Sequence, residues 1–164
     1  MNQLPTIKND DIPLFTLNGI TTFGKVVEMY DGDTCKIILL VNNVLQKFSC
    51  RLLGLDTPEM KPSLSKENRD IEILNAHKCR NRLLQLITNC NCGIDTIMKK
   101  QDCIKLLDSN TKIIKVECRE FDKYGRLLVN LYQDEQSTEC VNLKLINEGY
   151  AKAYDGGTKN QFIY

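Results

Sequence analysis

The chain has 164 residues, 42% of them hydrophobic and 26% charged, with 22 Lys and Arg against 21 Asp and Glu, 8 Cys and no Trp. That length supports one compact domain with its own core and excludes two large ones. A formal net charge of +1 excludes a sheath that coats nucleic acid by charge alone, because such binding needs an excess of Lys and Arg; it leaves room for a site that meets phosphate through a few placed arginines.

Residues 1–22 are mixed and polar, carry Pro5 and Pro13 and keep no sustained period, so they read as a flexible N-terminal arm ahead of a domain over 23–164. Asp10, Asp11 and Pro13 interrupt the region where the apolar stretch of a secretory signal would lie, and the longest apolar run, Ile37 to Val41, has the length of a strand and not of a membrane span. The expected protein is therefore intracellular, cytoplasmic or nuclear, with no membrane association, and its cysteines read as reduced thiols. From Ile20 onward KVVEMY, TCKIILLV and VLQKFSCRLLGL are rich in Val, Ile, Leu and Phe and are separated by Asp31-Gly32 and Asn42-Asn43. Both pairs are two-residue hairpin signals, so a three-stranded antiparallel meander is expected.

Beyond Pro58 the pattern changes. Ile73, Ala76, Cys79, Leu83 and Leu86 recur every three or four residues, which predicts an amphipathic helix from about Ser65 to Thr88 with Ser65 as its cap. MKKQDCIKLLDSN fits a short second helix, TKIIKVECREF and RLLVNLY read as strands joined by a DKYG turn, and Cys140–Glu148 fits a helix stopped at Gly149. Five strands in this order with helices between them suggest an antiparallel sheet closed into a five-stranded barrel, mainly β, with two to three α-helices packed on it. Cys90 and Cys92, with Cys79, Cys103 and His77 in sequence reach, could hold a zinc; their spacing matches no standard module, and small buried thiols are the other reading. His77, the only histidine, reads as a structural or surface residue.

Three segments are denser in acid and arginine than strand ends need: Asp31-Gly32-Asp33-Thr34, Arg51 to Glu59 (RLLGLDTPE) and Asp122 to Arg126 (DKYGR). An arginine within an apolar strand is costly unless it is paired or faces a ligand. Arg51 and Asp56, five positions apart, fall on opposite faces of a regular strand, and a bulge at Gly54 would bring them to one side. Carboxylates suit a hard cation and planar arginines suit phosphate. Together they point to phosphoryl transfer, with a glutamate orienting or deprotonating water.

In these three ordered motifs, DGDT, R-L-L-x-x-D-T-P-E and D-K-Y-G-R, and in Asn142-Leu143 through Glu148-Gly149-Tyr150-Ala151, the chain resembles the staphylococcal nuclease (thermonuclease) family over about residues 24–155. The resemblance implies an OB-fold barrel and a calcium-dependent phosphodiesterase that cuts DNA and RNA to 3′-phosphate and 5′-hydroxyl ends. It implies Asp33, Asp56 and the Thr57 carbonyl as Ca²⁺ ligands, Glu59 as general base, Arg51 and Arg126 as the phosphate-binding arginines, and Lys123 and Tyr124 as contacts to a terminal phosphate. DNA or RNA is then the expected partner of a monomer. Relative to the short bacterial members, about residues 89–110 form an insertion, and the chain stops soon after Tyr154, so the final helix is expected to be missing. Tyr154 is a candidate for base stacking or a tyrosine at the core's edge. An OB-type module that binds nucleic acid or protein without cutting it is the alternative reading.

Overall fold

In the computed structural model, which describes residues 4–157 and residue 162, the apolar runs after Ile20 form β1 (Thr21–Met29), β2 (Thr34–Val41) and β3 (Val44–Leu52), followed by a two-residue strand β4 (Leu55–Asp56). Helix α1 (Arg69–Ile87) and helix α2 (Lys100–Ser109) come next, then the hairpin β5 (Ile114–Phe121) and β6 (Leu127–Tyr132), helix α3 (Val141–Asn147) and the short β7 (Lys152–Ala153). Strands β1, β2, β3, β6 and β5 close into a barrel in that order, and β4 pairs with β7 as a separate ribbon. The barrel confirms the five-stranded, OB-like architecture expected from the sequence.

The strands close because each buries alternate residues on one side. Cys35, Ile37, Leu39 and Val41 of β2, Cys50 and Leu52 of β3, Ile114, Val116 and Cys118 of β5, and Leu127, Val129 and Leu131 of β6 are all buried, each large apolar side chain contributing roughly 1.5–3 kcal/mol of transfer free energy. β1 serves two neighbours: Thr21–Gly24 pair with β5 and Gly24–Met29 with β2, with a shift in register between Val26 and Glu28 that bends the strand around the barrel corner. Closure departs from the all-antiparallel expectation. β3 meets β6 in parallel, Cys50 to Leu127, Arg51 to Leu128 and Leu52 to Val129. A parallel pair requires a long crossover, and the segment carrying α1, α2 and β5 supplies it.

Both hairpin signals fall between strands that pair antiparallel, β1 with β2 and β2 with β3, as the expected meander, but one alone makes the two-residue turn. Asn42 and Asn43 both have positive φ, 49° and 62°, and join β2 and β3 by the expected tight turn. Asp31-Gly32 does not make such a turn: residues 30–33 form a wider loop in which the Tyr30 N–H bonds the Thr34 carbonyl at 2.9 Å. Its glycine is required by close packing. A Cβ on Gly32 would lie 2.2 Å from Sγ and 3.0 Å from Cβ of Cys79 on α1. The DGDT loop thus rests directly on the helix.

Helix α1 begins three residues later than the Ser65 cap predicted. The Ser63 and Ser65 hydroxyls bond each other at 2.9 Å in the preceding loop, and Asn68, with φ 55°, stands at the N-cap. The predicted stripe of Ala76, Cys79, Leu83 and Leu86 is buried, together with Leu84 and Ile87. Helices α2 and α3 fall where the patterns placed them, and α3 ends just before Gly149, where Tyr150 N–H reaches back to the Leu145 carbonyl. At the N-terminus the packing starts earlier than residue 23, since Leu17 is buried and Gly19 N–H bonds the Cys118 carbonyl. Residues 158–161, 163 and 164, where the question of a final helix falls, lie outside the described residues. Among the described residues no helix is long and apolar enough to cross a membrane.

Replacing Gly32 by alanine forces either the loop or Cys79 to move, and we expect Gly32→Ala to lower stability by about 1–3 kcal/mol in urea unfolding. Gly32→Ala combined with Cys79→Ala should recover part of that loss, a non-additivity that marks direct contact.

Candidate active site

The three acid- and arginine-rich segments meet at one end of the barrel. Thr34 is the register partner of Arg51, so strand pairing sets Asp33 beside that arginine, and Leu52 N–H bonds the Asp33 carbonyl at 2.8 Å. Between Leu52 and Leu55 the chain turns through Leu53 and Gly54, which has φ 80°, a conformation that costs glycine little. This turn, in place of the bulge expected within a continuous strand, resets the alternation and carries Asp56 to the same side as Arg51. Asn142 of α3 pins it: its side-chain N–H groups bond the carbonyls of Leu53 at 2.9 Å and Val129 at 3.0 Å, while its own oxygen accepts from Leu131 N–H.

Arg51 stands at the centre. One terminal nitrogen lies 2.8 Å from Asp33 Oδ2 and the other 3.2 Å from Asp56 Oδ1, and the second also donates to the Leu55 carbonyl at 3.3 Å. Both carboxylates are buried, so the guanidinium offsets charge that would otherwise be costly. The offset is incomplete. Burial pushes Asp33 up to about 7, the adjacent Asp31 carboxylate adding to the rise and Arg51 opposing it. Burial also raises Asp31, although its Oδ1 accepts hydrogen bonds from the backbone N–H groups of Asp33 at 3.1 Å and Thr34 at 2.7 Å.

The third segment is built around Asp122. Its Oδ1 accepts from Tyr124 N–H and Arg126 N–H, both at 2.9 Å, and its Oδ2 lies 2.8 Å from Arg126 Nε. One carboxylate therefore shapes the turn between β5 and β6 and aims the arginine that ends it. The exposed Tyr124 ring has Lys123 Nζ at 5.1 Å and Arg126 Cζ at 5.6 Å from its centroid, and the pairing of β4 with β7 brings the Tyr154 ring to 6.0 Å from Arg51 Cζ.

A cavity of about 1010 Å³ opens over this end, lined by Asp33, Arg51, Thr57, Glu59, Lys123, Tyr124 and Arg126 among others. All the site residues predicted from the sequence except Asp56 line it; Asp56 is buried behind Arg51. Tyr30 and Tyr154 also line it, which places Tyr154 at the site's edge. Sequence reasoning gave no role to Asp31 or Asp122, although each opens a motif and stands two residues before a backbone N–H that it captures, the pattern of an Asx turn. It also passed over Glu72 and noted Asn142 only as part of the resemblance, without a role; both belong to helices and are joined to the site only by folding.

The donors suit a hard cation. Asp33 and Asp56 offer two carboxylates, Thr57 offers a carbonyl, and one guanidinium does not balance Asp31, Asp33 and Asp56, which are all buried. Among the described residues no three His, Cys, Asp or Glu converge on one point as a finished metal cage, so water and phosphate oxygens would complete a cation's shell, as they commonly do for such ions. The same holds for the zinc reading: Cys90, Cys92 and Cys103 lie near one another, but Cys79 packs against the DGDT loop, His77 Nδ1 lies 3.0 Å from Arg80 on its own helix, and among the described residues no set of three or more of them forms a group that could hold a metal.

An unfolded aspartate titrates near 4, so between about pH 4 and 7 the folded chain keeps on Asp33 a proton that the unfolded chain has released. Metal-free stability should therefore fall as pH rises through that interval. Urea unfolding in EGTA at steps across it should show the fall, and Asp33→Asn should reduce it, with the remainder due to Asp31.

A family model described as staphylococcal nuclease homologue matches residues 49–162, a span that contains the Arg51–Glu59 and Asp122–Arg126 segments and begins after DGDT. No curated protein matches the chain. With the motifs in order, the closed barrel beneath them and a match over more than half its length, the chain belongs to the staphylococcal nuclease homologue family, a family of nuclease type.

Proposed function

We propose that this chain is a calcium-dependent phosphodiesterase that hydrolyses DNA or RNA to 3′-phosphate and 5′-hydroxyl ends. The observation that carries the reading is that Arg51, Arg126 and Glu59 line one cavity together with the buried Asp33. A binding module needs positive charge and aromatic platforms; it has no use for buried carboxylates behind its arginines.

Asp33, Asp56 and the Thr57 carbonyl would hold the calcium ion, which supplies positive charge against a phosphodiester when bound. The remaining chemistry belongs to the chain's own side chains. Arg126, held through Nε by Asp122, keeps both terminal nitrogens as a planar fork that matches two phosphate oxygens, while Arg51, whose terminal nitrogens already meet Asp33 and Asp56, lines the same cavity and acts on phosphate through its charge and its remaining N–H groups. Glu59 lies at the cavity wall and is exposed, so it can take a proton from a water molecule. The water oxygen attacks phosphorus in line, the bond from phosphorus to the 5′-oxygen breaks, and that oxygen takes a proton from solvent water to become the 5′-hydroxyl while Glu59 returns its proton to solvent and the arginines stabilise the charge on the equatorial oxygens. Lys123 and Tyr124 line the same cavity, which supports reading them as contacts to a terminal phosphate. The cysteines, all free and mostly buried, support placing this activity in a reducing compartment.

Incubation with single-stranded DNA and calcium should yield fragments bearing 5′-hydroxyl ends, and EGTA should abolish them. Arg51→Ala or Arg126→Ala should lower kcat by roughly 10²–10⁵-fold, the range for removing such charge-stabilising donors. Binding without fragments by the wild-type chain would favour the non-cutting OB-type module.

A further inference from the structure

Glu72 is 1% exposed in the first turn of α1, where an apolar residue would fill the same space without the cost of burying a charge. Its two oxygens have different partners. Oε1 accepts the backbone N–H of Glu59 at 3.0 Å, and Oε2 pairs with Lys66 Nζ at 2.5 Å. Thr57 and Pro58, the two residues before Glu59, are buried, so the chain leaves the core just where this carboxylate catches it. Lys66 comes from the loop between Glu59 and the helix and closes over the other side. The glutamate at the cavity is thus held from below by the strand end and from behind by the buried Glu72 of α1, which pairs with the half-buried Lys66 of the loop.

Resting on the nuclease reading above, we propose that Glu72 is a positioning residue that fixes the backbone of Glu59, and with it the direction from which the Glu59 carboxylate meets water. A hydrogen bond to a charged acceptor is stronger than a neutral one, and it falls on the one backbone donor belonging to the residue whose side chain must be aimed. Replacing the buried Glu72 carboxylate and its half-buried partner Lys66 by apolar groups of similar size removes the cost of burying that charge, so a role in stability and a role in positioning give opposite outcomes when both partners are replaced.

The decisive variant is Lys66→Met with Glu72→Met. Thermal unfolding should show a Tm equal to or above that of the wild type. At the same time kcat for single-stranded DNA in calcium should drop roughly ten- to hundredfold, the scale of a small misplacement of a reacting group, with KM little changed. Amide exchange at Glu59, followed by NMR without metal or substrate, should quicken by roughly ten- to hundredfold as its acceptor is lost. Glu72→Gln, which keeps an acceptor oxygen at the same place, should retain most of kcat. In a Glu59→Gln background the paired Met substitutions should cost nothing further, because a residue that acts only through Glu59 has nothing left to position. A folded paired variant with wild-type kcat, or a loss that multiplies with that of Glu59→Gln, overturns the proposal. A wild-type chain that cuts nothing overturns the nuclease reading instead, and Glu59 amide exchange then still decides whether Glu72 holds that backbone.

Discussion

The site depends on one guanidinium between two buried carboxylates. Arg51 reaches Asp33 on one side and Asp56 on the other, and each of the three would be expensive to bury alone. Asp33 comes from the loop before β2 and Asp56 from the strand after the Gly54 turn, so the ion pairs tie the two halves of the site to a single strand of the barrel. With Asp31 alongside, acid still exceeds base there, which leaves the cluster suited to a further cation and Arg51 already aimed at its edge.

Around that centre one device recurs. Asp31 accepts from the N–H groups of Asp33 and Thr34, Asp122 from those of Tyr124 and Arg126, and Glu72 from that of Glu59. In each case a carboxylate captures the backbone of a residue to which the proposed mechanism gives a part, Asp33 for the cation, Arg126 for phosphate or Glu59 for water. The groups meant to act stand on loops, which are accessible and variable in shape; a charge-assisted hydrogen bond to the loop's own backbone removes that freedom where precision matters. The barrel supplies rigidity, and these acids transmit it to the turns.

Much of this was legible beforehand. Alternation of apolar residues placed the strands, the Asn42-Asn43 pair marked one hairpin, and the three motifs named the residues around the cavity. The misreadings share a cause. Asp31-Gly32 carries the same turn signal as Asn42-Asn43, yet its glycine is there to let Cys79 of α1 approach, a neighbour 47 positions away that no local pattern announces. Ser65 looks like a cap until Ser63 engages its hydroxyl in the loop. The parallel pairing of β3 with β6 leaves no mark in either strand, because both faces of the choice bury the same residues.

By itself the sequence determined which charged side chains the chain carries and in what order, since the acid and arginine types in three short segments are properties of residues, and it determined the strands and helices through their periods. Only the tertiary structure decided how those groups combine. Strand register set Asp33 next to Arg51, the left-handed Gly54 and the grip of Asn142 turned Asp56 to meet it, and helix α1 brought a buried Glu72 to the backbone of Glu59. The reason is physical: the energy of a charge depends on what surrounds it once water is gone, and that environment is assembled from residues far apart in the chain.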